Sequence, residues 1–279
     1  MIIKRGKYMK KSFMKNSLFR AVLGAAALSL LAPFFSSCKK VQPKNLLEKV
    51  KAKGEIVIAT EGVWAPWSFH NGKNELVGFD IEVAKELCAR VGLKPRFIEV
   101  EWDRIFKCLE TGVCDIAANG IEVTSERAGS LYFSQPYAYS KTALIVRKDN
   151  DKIKSFKDLR GTSSANSLDS TYAQIAESYG AIIIAVNSFE ETMNLVLENR
   201  ADSTINSDVS FYDYLITNPG VPVKIAEVSN IVLPVAIPCK REVENLPLLA
   251  ELNKALTEMH SDGTLTRISL KYFRKDITK

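Results

Sequence analysis

The hydrophobic residues of this chain follow two alternating patterns from Asn45 to the C-terminus. Short apolar runs indicate buried strands, and apolar residues four apart indicate helices. Strands are predicted at 55–60, 96–100, 114–119, 142–147, 162–166, 182–186, 202–206 and 234–238. Helices are predicted at 78–91, 102–109, 155–159, 170–179, 189–199, 208–217, 246–261 and 263–272. A turn or short helix is expected at 125–127.

The segment 78–91 shows the helical pattern most clearly. Its apolar stripe consists of residues four apart, namely Phe79, Val83, Leu87 and Val91. Asp80 suits an N-cap or a favourable charge near the start of the helix, and Gly92 suits its C-cap.

Strands that alternate with helices predict an α/β fold with parallel strand pairs. Ligands of such sheets lie beyond the carboxyl ends of the strands. Those ends carry polar or aromatic residues, at 60–61, 100–102, 119–120, 167–169 and 206–207. We therefore expect a small polar ligand there. The polar run 148–151 interrupts the pattern and is expected to be a crossing between two lobes.

Composition is that of a globular protein, with 46% hydrophobic and 25% charged residues among 279. The net charge of +6 alone would suggest an anionic partner, but the charge is unevenly placed. Residues 1–37 hold no acidic residue and seven basic ones: Lys4, Arg5, Lys7, Lys10, Lys11, Lys15 and Arg20. The rest of the chain has 31 basic and 32 acidic residues, a net charge of −1, so nucleic-acid binding loses its main support.

The N-terminus is typical of a secretory signal. A basic segment precedes a 12-residue apolar run at 21–32, which is too short for a stable membrane span. Cys38 follows Ser36-Ser37 and resembles the lipidation site of a bacterial lipoprotein, although Phe35 stands where Leu is usual. We predict a signal at 1–37 and an anchor linker at 38–44. An ordinary secretory signal, a start at Met9 or Met14, and either bacterial membrane remain open.

Neither a metal site nor a cofactor is predicted. His70 and His260 lack Cys or Asp partners at ligand spacing. Cys108 and Cys114, six residues apart, either pair in an oxidising compartment or remain buried thiols.

Several segments resemble family 3 of the bacterial extracellular solute-binding proteins, over nearly all of the chain from Asn45. The signature lies in Gly78-Phe79-Asp80-Ile81-Glu82-Val83, then Leu87-Cys88 and Val91. The resemblance is closest to the cystine-binding branch. It is carried by 60–62 with 65–70, 101–103, 164–168, 204–206 with 213–215, and 271–273 with 276–278.

This resemblance implies an α/β fold of the periplasmic binding protein type II, with two lobes joined by two hinge strands. Lobe 1 would comprise 45–145 plus 238–279, and lobe 2 would comprise 147–235. The lobes would close on an amino acid, and a monomeric receptor would present it to the permease and ATPase subunits of an ABC importer.

The resemblance also implies a site for a zwitterion. Arg127 occupies the family's carboxylate-binding position, although a surface ion pair with Glu126 or Glu122 is the alternative. A planar guanidinium binds a carboxylate bidentately, and a helix N-terminus attracts the same group. The further residues expected to bind the carboxylate are Gly120, Thr124, Ser170 and Thr171, with Asn119 beside them.

The ammonium partner is left open by the resemblance. The family usually places an Asp where Ser207 follows Asn206, so Asp208 or Glu61 would take that role. Trp64 and Trp102 match positions where the family places aromatic rings against the ligand, or they are core residues. Glu122 would favour a ligand with an extra positive group, or it faces solvent.

A transport receptor that binds L-cystine or cysteine is therefore the predicted function, and no enzymatic activity is expected. Glutamine and basic amino acids remain alternative ligands. The alternative functions are a dehydratase of the cyclohexadienyl or arogenate type on the same fold, and a surface adhesin or receptor.

Overall fold

The computed structural model describes residues 43–279. The predicted signal, Cys38 and most of the predicted linker lie outside the described residues. Within the described part of the chain, no helix is both long and apolar enough to cross a membrane.

Most of the predicted helices and strands are present, together with shorter elements that the two patterns did not predict. The strands are β1 (Glu55–Thr60), β2 (Val63–Trp64), β3 (Ser68–His70), β4 (Leu76–Val77), β5 (Lys94–Glu99), β6 (Ile116–Ala117), β7 (Leu131–Phe133), β8 (Ala138–Arg147), β9 (Ser163–Asn166), β10 (Ile182–Ala185), β11 (Thr204–Ser207), β12 (Val223–Val235) and β13 (Pro238–Lys240). The α-helices are α1 (Leu46–Lys53), α2 (Phe79–Val91), α3 (Trp102–Thr111), α4 (Ser125–Ser130), α5 (Thr171–Ser178), α6 (Phe189–Leu197), α7 (Asp208–Thr217), α8 (Leu246–Ser261) and α9 (Thr264–Phe273). Two 3-10 helices, Phe156–Leu159 and Val243–Asn245, complete the set, and the first replaces the α-helix predicted at 155–159.

The first sheet brings three strand ends together. β1 is its central strand and pairs in parallel with β5 and β6. Thr60 lies opposite Glu99, and Ala59 lies opposite Ala117. Because parallel strands end at the same edge, the residues that follow these strands meet there, as predicted.

Helix α2 buries the predicted stripe but begins differently from the prediction. Phe79, Val83 and Leu87 are buried, and Gly92 is the C-cap with φ of +76°. The N-cap is Gly78, so an N-cap role for Asp80 is wrong. Asp80 lies inside the first turn with its carboxylate buried and bonded to other segments.

The second sheet is only partly parallel. β9 pairs in parallel with β10, and Ser164 forms a parallel bridge with Ser203 just before β11. β8, however, pairs antiparallel with both β11 and β12. The predicted parallel pairing fails there because it applies to strands joined by a helical crossover, whereas β8 follows β7 with no helix between them.

The return strand predicted at 234–238 is wrong in position and length. β12 covers Val223–Val235, and β13 begins at Pro238. Register shifts interrupt the pairing of β12 with β8, between Ile225 and Glu227 and between Val228 and Val232. These bulges place extra residues in the strand and break its alternation, so the pattern did not indicate it.

The four described cysteines, Cys88, Cys108, Cys114 and Cys239, are buried free thiols. Of the two alternatives for Cys108 and Cys114, the structure therefore shows the thiols. Burial, followed by the contact with Cys108, raises the pKa of the Cys114 thiol well above its usual range.

Candidate functional site

A small cavity of about 50 Å³ is lined by residues near the carboxyl ends of strands from both sheets. Seven of the predicted site residues line it: Glu61, Trp64, Trp102, Glu122, Ser170, Thr171 and Asn206. Its other lining residues are Val63, Asn166, Ser167, Tyr172, Ser188, Phe189 and Thr192. The cavity thus combines two carboxylates, several hydroxyl and amide groups, and aromatic rings.

Glu61 follows the last residue of β1, and Asn119 holds its side chain. Asn119 Nδ2 donates to the Glu61 carboxylate over 2.5 Å, while its Oδ1 accepts from the Glu61 backbone N–H over 2.9 Å. Burial raises the pKa of Glu61 to about 7, and the hydrogen bond from Asn119 opposes that rise only in part. Near neutral pH this carboxyl group is poised between its neutral and ionised forms.

Gly120 is fixed by the buried carboxylate of Asp80. Its backbone N–H donates to Asp80, and the hydroxyl of Tyr137 donates to the same carboxylate over 2.7 Å. Burial raises the pKa of Asp80 to about 7, against the lowering effect of these two bonds. Gly120 has φ of +56°, and a Cβ there would lie 2.6 Å from the ring of Trp64. Glycine at this position therefore leaves room for Trp64.

Arg127 and Glu122 form a buried ion pair rather than a surface pair. Nη1 of Arg127 lies 3.2 Å from Oε2 of Glu122 and also donates to the Glu122 carbonyl over 3.1 Å. Only 8% of Arg127 and 3% of Glu122 is exposed, so neither charge is well screened by water. Thr124 positions the arginine, because its hydroxyl caps α4 by accepting from the Arg127 backbone N–H.

Two aromatic rings and a backbone carbonyl also contact the guanidinium of Arg127. Its centre lies 5.2 Å from the Trp102 ring and 5.1 Å from the Phe106 ring, and Nη2 donates to the Asp169 carbonyl over 3.4 Å. Arg127 is absent from the lining of the small cavity and instead faces a neighbouring groove with Glu126 and Asp169. A ligand carboxylate would have to compete with Glu122 for this cation.

The start of α5 contributes two residues to the cavity. Ser170 is the N-cap, and its hydroxyl accepts from the Ala173 backbone N–H over 3.0 Å. Thr171 donates its hydroxyl to Oε2 of Glu122 over 3.3 Å. Glu122 therefore joins the first helix turn of α5 to Arg127.

The residues at the end of β11 and the start of α7 lie in different places. Asn206 lines the cavity, but its Oδ1 already accepts from the Ser207 backbone N–H over 2.8 Å. Ser207 is fully buried and bonds to the Ser140 hydroxyl over 3.2 Å. Asp208 faces a separate cavity beside Lys275, and burial raises its pKa. Of the two carboxylates considered for an ammonium group, only Glu61 lines the central cavity.

The aromatic residues of the cavity are held by other rings. Trp64 stacks on Trp67 with centroids 5.5 Å apart, and Tyr172 meets Trp64 edge-on at 6.4 Å. Trp102 is the first residue of α3 and meets Phe106 edge-on at 5.3 Å. Both tryptophans thus line the cavity and also pack in the core.

Sequence reasoning missed Tyr172, Ser188 and Phe189. The rule that selects residues after a strand end would have identified the last two, because they follow β10 and begin α6. Tyr172 directly follows Ser170 and Thr171 but carried no signal of its own.

Comparisons of the sequence with known proteins agree on one protein family. Residues 56–275 match the profile of "Bacterial extracellular solute-binding proteins, family 3". A probable amino-acid ABC transporter-binding protein of Haemophilus influenzae is 32% identical, over 95% of this chain and 100% of its own length. An L-cystine-binding protein of Bacillus subtilis is 33% identical, over 97% of this chain and 100% of its own length.

A solved structure, an ancestral arginine-binding protein bound to arginine, superposes with a TM-score of 0.74. It is 32% identical and covers 79% of this chain and 98% of its own. The fold class is accordingly α/β, of the periplasmic binding protein type II. The residues named above thus lie in a fold whose members include receptors for amino acids.

Proposed function

This chain belongs to the bacterial extracellular solute-binding proteins, family 3, and from that membership we propose that it is the exported receptor of an amino-acid ABC importer. Its ligand is a polar amino acid, L-cystine in the first place, with cysteine, glutamine and basic amino acids as alternatives. The protein captures the ligand and presents it unchanged to permease and ATPase subunits.

The observation that carries this proposal is the composition of the central cavity. Seven residues selected for a zwitterionic ligand line one cavity, although they come from segments as distant as Glu61 and Asn206. A small number of polar groups among aromatic rings is the usual composition of a small-molecule site.

The ligand's α-carboxylate is assigned to Arg127. Thr124 holds the Arg127 backbone, and the rings of Trp102 and Phe106 flank its guanidinium, so little entropy is lost when it binds. In the ligand-free protein Glu122 pairs with this guanidinium, and the ligand carboxylate replaces Glu122 as the ligand binds. The hydroxyl of Thr171, which now donates to Glu122, lies within the same set of contacts.

The ligand's ammonium group is assigned to Glu61. This carboxylate lines the cavity, and Asn119 holds it in place. Asp208 is disfavoured because it faces another cavity, where Lys275 is its nearby cation. Glu122, once released from Arg127, provides a second negative charge for a ligand with two ammonium groups, as L-cystine has.

Binding requires the cavity to enlarge. Sites for drug-sized ligands occupy about 300–1,000 Å³, whereas this cavity holds about 50 Å³. A hinge motion of the two predicted lobes, 45–145 with 238–279 and 147–235, would admit the ligand and then close on it.

A thermal-shift panel tests the ligand class. The processed protein is melted with L-cystine, cysteine, glutamine, arginine, lysine and glutamate. A ligand at 100 times its dissociation constant stabilises the folded state by roughly 2.7 kcal/mol. We expect the largest shift with L-cystine. A shift with arginine or glutamine alone would reject cystine but keep the receptor, and no shift with any amino acid would reject the receptor.

A dehydratase on the same fold is a second candidate, favoured by one observation. A general acid needs a raised carboxyl pKa, and burial raises that of Glu61 to about 7. The relatives described above are transport proteins, so we rank this candidate second. Turnover of prephenate or arogenate that disappears in Glu61→Gln would support it, and absence of turnover would dismiss it.

A lipid anchor at Cys38 is proposed from the sequence alone. Membership of an extracellular family agrees with export, whereas the anchor lies outside the described residues. Labelled palmitate should be incorporated by the wild-type chain and lost in Cys38→Ser. Labelling that persists in Cys38→Ser, or its absence from wild type, would leave an ordinary secretory signal.

A further inference from the structure

A tight turn between α3 and β6 brings the backbones of Cys108 and Cys114 together. Helix α3 ends at Thr111, and its C-cap Gly112 has φ of +71°. The chain reverses there, and the backbone N–H of Cys114 donates to the carbonyl of Cys108 over 3.2 Å. Standard backbone dimensions then keep the two Cα atoms within about 7 Å of each other. Disulfide bonds usually join Cα atoms that lie about 4.4–6.8 Å apart, so the backbone is already close to the geometry of a disulfide.

The side chains of the two cysteines also lie together. Both belong to one cluster of buried apolar residues, and they are only 7% and 2% exposed. Burial, and then a hydrogen bond with the Cys108 thiol, raises the pKa of Cys114 above its usual range. Cys88 and Cys239 differ, because burial alone raises the pKa of each to about 12. Among the four described cysteines, a contact between thiols is therefore seen only for Cys108 and Cys114.

We propose that Cys108 and Cys114 are a redox modification site and form a disulfide bond in the exported protein. The buried thiols of the structure are the reduced form of this site. Neither cysteine lines the central cavity. The bond would join α3, which begins at the cavity residue Trp102, to the segment that leads through β6 to Gly120. The inference rests on the export that is part of the proposed function, because disulfides persist in oxidising compartments outside the cytosol.

The bond needs an oxidant, whose chemical class is another disulfide. The thiolate of one cysteine attacks that disulfide, forms a mixed disulfide and releases one thiol. The thiolate of the second cysteine then attacks the sulfur of the first cysteine and releases the second thiol. Two electrons and the two thiol protons thus pass to the oxidant, which leaves as two thiols.

Burial determines when this reaction can take place. The thiolate is the reactive form of cysteine, and the raised pKa keeps Cys114 protonated in the folded protein. An oxidant also has little access to either sulfur, since both residues are buried. The disulfide should therefore form while the exported chain folds. Once formed, it should resist reductants until the protein unfolds.

Peptide mapping of the protein exported from a bacterial host tests the proposal directly. Free thiols are alkylated in denaturant without reduction, and trypsin then releases the peptide 108–127. This peptide contains Cys108 and Cys114 but neither Cys88 nor Cys239. We expect it to be free of alkyl groups and two hydrogen masses lighter than the dithiol. Two alkyl groups on it, or a bond to Cys88 or Cys239, would overturn the proposal.

Thermal melts measure the effect of the bond on stability. Reduced and refolded wild type should melt roughly 5–9 °C below the oxidised protein, because a disulfide restricts the unfolded chain. Reduction should not change the melting temperature of the double variant Cys108→Ala/Cys114→Ala. The matched control Cys88→Ala/Cys239→Ala also lacks two buried thiols and should keep the difference. Equal melting temperatures of oxidised and reduced wild type, or a difference that persists in Cys108→Ala/Cys114→Ala, would count against the bond.

Ligand binding separates failure of the disulfide from failure of the proposed function. A protein that binds an amino acid but carries two free thiols at Cys108 and Cys114 is still a receptor, and the disulfide is then wrong. A protein that carries the disulfide but binds no amino acid overturns the proposed function alone.

Discussion

Glu122 and Arg127 form an ion pair in which each residue is the other's main counter-charge. Both are buried, and Glu122 joins Arg127 to Thr171 at the start of α5. Removing one partner of a buried pair leaves an uncompensated charge, which costs about 3–5 kcal/mol. The two buried charges therefore compensate each other in the ligand-free protein.

Glu122→Gln should lower the melting temperature without ligand and increase the shift caused by ligand. The amide keeps an acceptor for Arg127 but removes the negative charge, and the ligand carboxylate then supplies it. Thermal melts with and without L-cystine measure both effects. Glu126→Gln is the control, because Glu126 is exposed and accepts only from Gln174. An equal ligand shift in Glu122→Gln and wild type would contradict this role.

The pKa of Glu61 gives ligand binding a pH dependence. The carboxyl is about half protonated near pH 7, and pairing with an ammonium group requires its ionised form. Binding should therefore release a proton, and affinity should rise with pH below 7, by up to about tenfold per unit, and level off above it. Calorimetry from pH 6 to 8 measures this trend.

Glu61→Gln should weaken binding and remove the pH trend, which separates Glu61 from Asp80, whose pKa is also about 7. A flat affinity profile in wild type would contradict the assignment. Since both carboxyls hold a proton in the folded state that they lose when unfolded, stability without ligand should fall as pH rises from about 4.5 to 7.

Gly120, in the turn that follows β6, determines where the Trp64 ring lies in the cleft. Gly120 combines φ of +56° with a close approach to Trp64, and its N–H is fixed by Asp80 on α2. Asp80 lies in the first turn of α2 and holds the backbone of Gly120 in place. A side chain at Gly120 would strain the backbone and displace the Trp64 ring.

Gly120→Ala should reduce both stability and ligand affinity. Gly112→Ala is a matched control, because Gly112 has φ of +71° but no atom within 4 Å of its Cβ position. It should carry a similar backbone cost, about 1–2 kcal/mol, without loss of affinity. Calorimetry and thermal melts on both variants measure the difference, and equal affinities in the two would show that Gly120 does not position Trp64.

Sequence patterns predicted the elements better than the orientation of side chains. Periodicity indicated α8 to the residue and α9 to within one residue, because long amphipathic helices have a regular signal. It did not indicate β12, where bulges break the alternation, nor the short β2–β4 ribbon.

At the site, the rule that ligands lie beyond the carboxyl ends of strands identified the right segments. It could not tell which side chain of each segment faces the cavity. Glu61 faces the cavity and Asp208 faces away, although both follow strands. The tertiary structure determines which way each carboxylate points. Lys275 and Lys141 lie near Asp208, whereas Asn119 holds Glu61 through a hydrogen bond. For the same reason, the burial of the Arg127–Glu122 pair could not be read from its spacing.

On the scale of the whole molecule, side chains from the predicted lobes meet across the cleft. Hydrogen bonds join Trp67 to Ser210 over 3.1 Å and Glu126 to Gln174 over 2.9 Å. These bonds must break for the cavity to enlarge.

Ligand should therefore make the molecule more compact in solution. We expect the ligand-free protein to populate an open arrangement and to close around L-cystine. Small-angle X-ray scattering with and without ligand should show a smaller radius of gyration in the complex. The same radius in both, at saturating ligand, would contradict a hinge motion.

Calorimetric titration of L-cystine into wild type, Arg127→Ala and Arg90→Ala tests the central claim most directly. Arg90 lies outside the cleft in ion pairs with Glu86 and Asp262, so its loss should leave affinity unchanged. We expect saturable binding to wild type and a loss of at least about tenfold in Arg127→Ala, since a bond to a charged group is worth about 1.5–3 kcal/mol. Full affinity in Arg127→Ala, or no binding to wild type, would contradict it.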